Sequence, residues 1–255
     1  MDTAFTETLS RDGVPEIRSL NKTAPYGWLR NGWKDFRQAT MPSLTLGLVF
    51  VAAGYALVAA SWNIPLLTIT FVTGFLLVAP ALALGFYEIS RRIHGGQSVG
   101  YNSLVYSWKK HGWSVLLFGL VLGVVMVAWG RLTGLLVALS LPAIGPFSDL
   151  LSWQALTDPG FIALYVSVGF VLAALVFSLS VVSIPMLVDR KVDVLTAAMT
   201  SLRAVRKNPR VMFRWAFIIA LLTIAGMFTA FIGLLLIMPL LGHASWHAYK
   251  ETIAD

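Results

Sequence analysis

Residues 64–87 read IPLLTITFVTGFLLVAPALALGFY, twenty-four positions in a row without a charged side chain. A bilayer's hydrocarbon layer takes about 20 apolar residues of helix to cross. Backbone can cross it only as a helix or as a closed barrel, because no water is there to satisfy loose N–H and C=O groups. Barrel strands alternate in segments of about 10 residues; this run is continuous and rich in Leu and Ala, so it forms a helix. The rest of the chain is of the same kind. Only 12% of the 255 residues are charged, against about 25% in soluble domains, and such a chain cannot cover itself with polar surface.

Reading the apolar runs in order places spans at about 43–61, 64–87, 113–131, 161–187, 212–228 and 231–249. Trp62-Asn63 makes a tight turn between the first two, with Trp at interface depth. Residues 132–160 carry Pro142, Pro146 and Pro159 with Asp149 and Asp158, and read as an excursion on the far side. The final run is long for one span and short for two. Gly226 and Gly233 bracket MFTAFI, which favours two compact helices over one long one. Residues 1–24 read as a mobile polar tail, and 25–250 as a single integral membrane domain. Gly119/Gly123 and Gly130/Gly134 have the spacing that lets membrane helices pack closely.

Three basic amphipathic stretches flank these runs: YGWLRNGWKDFRQATMP, NSLVYSWKKHGW and LTAAMTSLRAVRKNPRVMFRW. In the first, Leu29, Trp33 and Phe36 share a face; in the third, Leu195, Met199 and Leu202 do. Helices of this composition lie on headgroups. Each precedes a hairpin, and near the end of each second helix stands Pro-x-Leu, at Pro80, Pro185 and Pro239, where a kink is expected. The expected fold is therefore all-α: a polytopic membrane helix bundle of six transmembrane helices, arranged as three hairpins each preceded by a basic interfacial helix. With both termini on one side, eighteen of the nineteen Lys and Arg residues fall on that side and only Arg131 on the other. The positive-inside bias makes that side cytoplasmic. The net charge of +7 sits beside the spans, where it meets anionic lipid headgroups rather than nucleic acid.

Chemistry is sparse. There is no cysteine, which removes disulfides and thiolate ligands. No phosphate loop, Gly-x-Ser-x-Gly or His-Glu-x-x-His occurs, and no ionisable residue is expected in mid-span, so no enzyme is expected. Glu88, Asp189 and His243 follow the three prolines by eight, four and four residues and are candidates for a polar site at the inner ends of the second helices. The plain alternative is that helices re-enter water there. His243 and His247 are four apart and share a helix face. A metal would need further donors, and the expectation is no metal and no cofactor, with both imidazoles capping the last carbonyls beside Trp246 and Tyr249.

With PLLGHASWHAYK, SLRAVRKNPRVMFRW and GFYEISRRIHGG in place, the chain resembles, over about residues 25–250, a family of bacterial integral membrane proteins classed as a domain of unknown function. Some members carry a cytochrome c oxidase label. The architecture is also similar to the membrane domain attached to some glycerophosphodiester phosphodiesterases. The resemblance implies a multi-pass protein of the bacterial inner (cytoplasmic) membrane. Four histidines, none central in a span, are too few for a catalytic oxidase subunit, so the label implies at most the neighbourhood or assembly of a respiratory complex. The expected function is a non-catalytic accessory or assembly factor for a membrane complex. Two alternatives stand beside it: a protein binding or transporting lipid or a small amphiphile, and a haem or metal accessory protein using His243 and His247.

Overall fold

The computed structural model describes residues 15–144 and 158–254, and every regular element among them is a helix. In chain order these are α1 (Ala24–Gln38), α2 (Thr40–Ser61), α3 (Pro65–Leu82), α4 (Leu84–His94), α5 (Tyr101–Ile144), α6 (Pro159–Ser180), α7 (Ser183–Asp189), α8 (Val194–Lys207), α9 (Pro209–Phe228) and α10 (Leu234–Thr252). Local chemistry sets many of their ends. Proline stands in the first turn of α1, α3, α6 and α9, where its missing N–H would have had no partner anyway. The Asp158 and Asp193 side chains accept from the N–H groups of Phe161 and Thr196, capping α6 and α8. Thr70, Thr73 and Ser178 inside the apolar helices donate their hydroxyls to the carbonyl four residues back, which satisfies them without a partner helix.

Among the described residues, five stretches are long and apolar enough to cross a membrane: Thr40–Ser61, Pro65–His94, Leu116–Leu139, Pro159–Asp189 and Pro209–Phe228. They carry exposed apolar side chains such as Leu48, Val124, Phe170 and Phe217, the surface a lipid solvent requires. At one end of these helices a dense layer is built from α1, α4, α7, α8 and the second half of α10. Trp28, Trp215, Trp246 and Tyr249 are fully buried in it. Burying a large apolar side chain contributes about 1.5–3 kcal/mol.

α10 is the axis of this layer, packed by α1, α2, α4 and α9. Backbones touch. A Cβ on Gly32 of α1 would lie 2.6 Å from the Ala244 nitrogen, one on Gly47 of α2 would lie 2.5 Å from the Leu235 carbonyl oxygen, and one on Gly242 would strike the Phe86 ring. The chain ends lock the assembly. Ile17 and Ile253 form an antiparallel bridge, the Arg18 N–H donates to the Thr252 carbonyl and the Ala254 N–H to that of Glu16. The indole of Trp28 donates to Glu251 at 2.6 Å. N- and C-terminal segments thus lie on the same side, and α10 brings the chain back to where it began.

Several expectations need correction. The span expected at 113–131 is part of one helix of 44 residues, about 66 Å long at 1.5 Å per residue, with its apolar window at Leu116–Leu139. The stretch expected as a second interfacial helix is the continuous start of that helix, which runs on through Gly112; the side chains of 102–112 lie outside the described residues. Arg131, placed at the far surface, stands inside the apolar window. The rest of the expected excursion, with Pro146 and Asp149, lies outside the described residues, as do residues 1–14 of the expected tail. Residues 15–23 of that tail are a strap: Lys207 and Asn208 donate to the carbonyls of Ile17 and Arg18, and Arg214 to that of Lys22.

The prolines do not mark equivalent kinks. The helix breaks at Ala83, three residues past Pro80, and at Val181-Val182, before Pro185, which opens α7; α10 runs through Pro239 unbroken. Proline in a first turn starts a helix rather than bending one. The expected α9–α10 turn is present at 229–233, but positive φ falls on Ala230 and Phe231. Thr229 holds it, accepting from the Gly233 N–H and donating to the Gly226 carbonyl. Its tip packs on Gly54 and Tyr55, six to seven residues below the end of α2, so this hairpin is about 10 Å shorter than its neighbour. The glycines at 123, 130 and 134 meet nothing within 4 Å and Gly119 only Ala81; close packing belongs to Gly32, Gly47 and Gly242.

Gly32 and Gly27 make a paired test on one helix. Gly32→Ala forces a methyl onto α10 backbone that cannot rotate away, and should lower stability by about 1–3 kcal/mol. Gly27, with nothing within 4 Å of its Cβ position, should tolerate Ala with no loss or a gain of up to about 1 kcal/mol. Thermal unfolding of both variants in the same detergent checks this.

Candidate functional site

The side chains that carry chemistry gather where α10 passes α1, α2, α4 and α7. Trp28, Gly32, Asp35, Phe36 and Ala39 recur on one face of α1 and are all buried. Arg30, Lys34 and Arg37 point outward, as does Trp33, which stacks on Phe36. Trp33 thus lies off the buried face it was expected to share. α8 likewise buries its small residues, Ala197, Thr200, Ser201 and Ala204, and exposes Leu195 and Met199.

His243 is fully buried. Its Nε2 lies 2.9 Å from the Ser43 hydroxyl and its Nδ1 2.9 Å from that of Ser90. The Asp35 carboxylate lies near the Ser90 side chain. A neutral imidazole donates from one nitrogen and accepts at the other, so one of the two serines accepts from the His243 ring and the other donates to it. His247 meets Asp35 from the other side, its Nε2 3.0 Å from Oδ2. Burial by itself would raise the Asp35 carboxyl, but the bonds from His247 and Ser90 and the two neighbouring imidazoles hold it below the ordinary carboxylate value.

Beyond His247 stands His94, the last residue of α4. Its ring centroid is 4.9 Å from that of His247, and its Nδ1 lies 3.1 Å from the Ser90 carbonyl oxygen. Asp35, His94 and His247 each present one ligand atom, all within 4.8 Å of one another.

Two further clusters adjoin this chain of bonds. Glu88, fully buried, receives both Nε and Nη2 of Arg91 at 2.7 and 2.8 Å and Nε of Arg92 at 2.7 Å. Asp189 accepts from the Tyr249 hydroxyl at 2.8 Å, with the Lys250 ammonium at 3.4 Å; Arg190 in turn donates to Tyr249. The structure therefore places Glu88, Asp189, His243 and His247 around one helix, but engages each with different partners. The histidines do not cap terminal carbonyls: one is held by two serines and the other by a carboxylate. Asp35, Ser43 and Ser90 were missed. Asp35 was legible in principle, since it repeats the 28, 32, 36, 39 face of α1; the serines carried no signal, because only the fold brings residues 43, 90 and 243 together.

Residues 66–189, just under half of the chain, match a family described as "Predicted integral membrane protein (DUF2189)". No curated protein and no solved structure matches. Together with the apolar helices this makes the chain an integral membrane protein of unknown function.

Ser90 tests the network. Ser90→Ala leaves the buried His243 Nδ1 without its hydroxyl partner, and should destabilise by about 1–3 kcal/mol. Ser167, whose hydroxyl bonds only back to Ala163 on an exposed face, should accept Ala at almost no cost. Unfolding midpoints of the two variants check it.

Proposed function

We propose that the chain is a non-catalytic accessory subunit or assembly factor, held in the membrane and acting through its helix surfaces. One observation carries this reading. Arg131 lies exposed on α5 among Val124, Val127, Leu135 and Leu139, all exposed, within a window apolar enough to cross a membrane. Leu136 and Val137 pack against Leu66 and Phe161 at the first turns of α3 and α6. Arg131 therefore sits about 8 Å inside that end of the bundle. A lipid-exposed guanidinium costs up to roughly 2.5–3.5 kcal/mol at the bilayer centre on insertion scales and less toward the end of a span, a cost that a carboxylate on a neighbouring helix removes. The occupant of this stripe is a partner membrane helix bearing Asp or Glu at matching depth. The resemblance to proteins with a cytochrome c oxidase label makes a respiratory complex the first partner to test.

The alternatives fare less well on the same ground. Between α2, α3 and the α9–α10 hairpin, Phe50, Phe75 and Phe231 leave a cavity of only about 10 Å³, too small for an acyl chain. Both nitrogens of His243 are taken by serines, so it has no lone pair to offer haem iron. The lipid contacts we assign are to anionic headgroups, at the basic faces of α1 and α8. We further place the Lys- and Arg-rich layer, with both termini, on the cytoplasmic side of a bacterial inner membrane, α10 being a shortened sixth pass.

A photo-crosslinker at Val127 or Leu135 in native membranes should trap one discrete membrane protein, whereas the same group at Phe217, exposed on α9, should trap lipid. Arg131→Leu should cut the trapped yield at least tenfold. Arg131→Glu should be rescued by a lysine in place of the partner's carboxylate. Equal, diffuse labelling from α5 and α9, or a yield untouched by Arg131→Leu, sinks the reading. Orientation has its own measurement. Because the chain has no native cysteine, an impermeant thiol reagent added outside should label Trp62→Cys and spare Lys34→Cys; the reverse pattern inverts the topology.

A further inference from the structure

We propose that Asp35, His94 and His247 bind one divalent transition-metal ion of the zinc type, at the junction of α1, α4 and α10. The three residues come from three separate elements, yet their ligand atoms fall within 4.8 Å of one another. The 3.0 Å between Asp35 Oδ2 and His247 Nε2 is near the spacing of ligands in a tetrahedral site, about 3.3 Å for metal bonds of about 2.0–2.1 Å. Only His94 has to move closer. It is the exposed member of the three, at the end of α4, and so the one best able to shift toward the other two.

The supporting bonds are those a metal site requires. A ligating histidine fixes its tautomer by donating its other N–H to a carbonyl or carboxylate, and ligating carboxylates are themselves hydrogen-bonded. Ser90 supplies the first of these: its carbonyl oxygen lies 3.1 Å from His94 Nδ1, which leaves the lone pair on Nε2, and its hydroxyl stands beside Asp35. His243, bonded on to the same hydroxyl, stands behind as a further tie to α2 through Ser43. A simple ion pair between His247 and Asp35 would explain those two residues. It would not explain why a second imidazole is brought beside them with its Nδ1 already spent.

The donor set decides the class of ion. Two imidazole nitrogens and one carboxylate oxygen suit zinc, iron or copper, while magnesium and calcium ask for oxygen throughout. Three protein ligands leave a fourth position on the exposed side of His94, open to water or to a group from a partner. Such an ion would cross-link the first and last helices of the chain at the membrane surface.

The test uses full-length protein without a histidine tag, in nanodiscs, stripped with chelator and titrated with Co2+, whose visible bands report coordination. One Co2+ per chain, with the intense absorption of a four-coordinate site and displaced by Zn2+, is the expected result. His94→Ala, at an exposed position that leaves the fold intact, and Asp35→Asn should each weaken binding at least tenfold. Ser90→Ala should weaken it about tenfold and shift the bands of the bound ion, which a loss of stability alone does not do. Zn2+ should raise the unfolding temperature of the wild type and not of His94→Ala. No stoichiometric uptake, or uptake that His94→Ala leaves unchanged, overturns the proposal.

Discussion

The backbone contact of α10 with α1 and α2 is the constraint on which the rest depends. In lipid, apolar side chains gain nothing by leaving the solvent for each other, so helices associate through dispersion and close approach. Gly32 and Gly47 let α10 reach the bottom of two grooves at once, against Ala244 and Leu235. With the axis so close, Trp28 reaches Glu251, the strap at 15–23 reaches Ile253, and the chain closes on itself. A wider spacing would cost those bonds along with the packing.

Polar residues are distributed by the same logic. Hydroxyls such as Thr70, Thr73 and Ser178 turn back on their own helices, and most of the ionisable groups are collected in the basal layer, where counter-charges, hydroxyls and strap carbonyls receive them. Glu88 is the extreme case: a fully buried carboxylate between two guanidinia, stable only as a set, since removing one partner leaves an uncompensated charge. The Ser43–His243–Ser90 bonds and the His247–Asp35 pair fasten α10 to α2, α4 and α1. Hydrophobic contact alone would let those helices slide.

Function, on this view, is a matter of what remains unspent. The cavity between α2, α3 and the α9–α10 hairpin holds only about 10 Å³, too little for an acyl chain. Two features are left over: Arg131 in the apolar stripe of α5, at one end of the molecule, and the open side of the Asp35–His94–His247 cluster, at the other. One points to a partner within the membrane and the other to an ion at its surface. The two need not fail together.

Sequence alone decided the solvent and the element type. Twenty-four uncharged residues in a row can only cross lipid as a helix, and the Pro, Gly and Trp-Asn punctuation located the turns at 62–63 and 229–233 because turn chemistry is local. It decided the basic faces as well, from period alone. It could not decide where α5 stops, since an uninterrupted helix carries no boundary signal, and so Arg131 was misplaced at the surface. It could not tell which glycines touch a neighbour, because that depends on the helix opposite. Nor could it see the candidate site: Asp35, Ser43, Ser90, His94, His243 and His247 lie up to 212 residues apart, and only the packing of a polar-tipped last helix into the middle of the first ones puts them within hydrogen-bond reach.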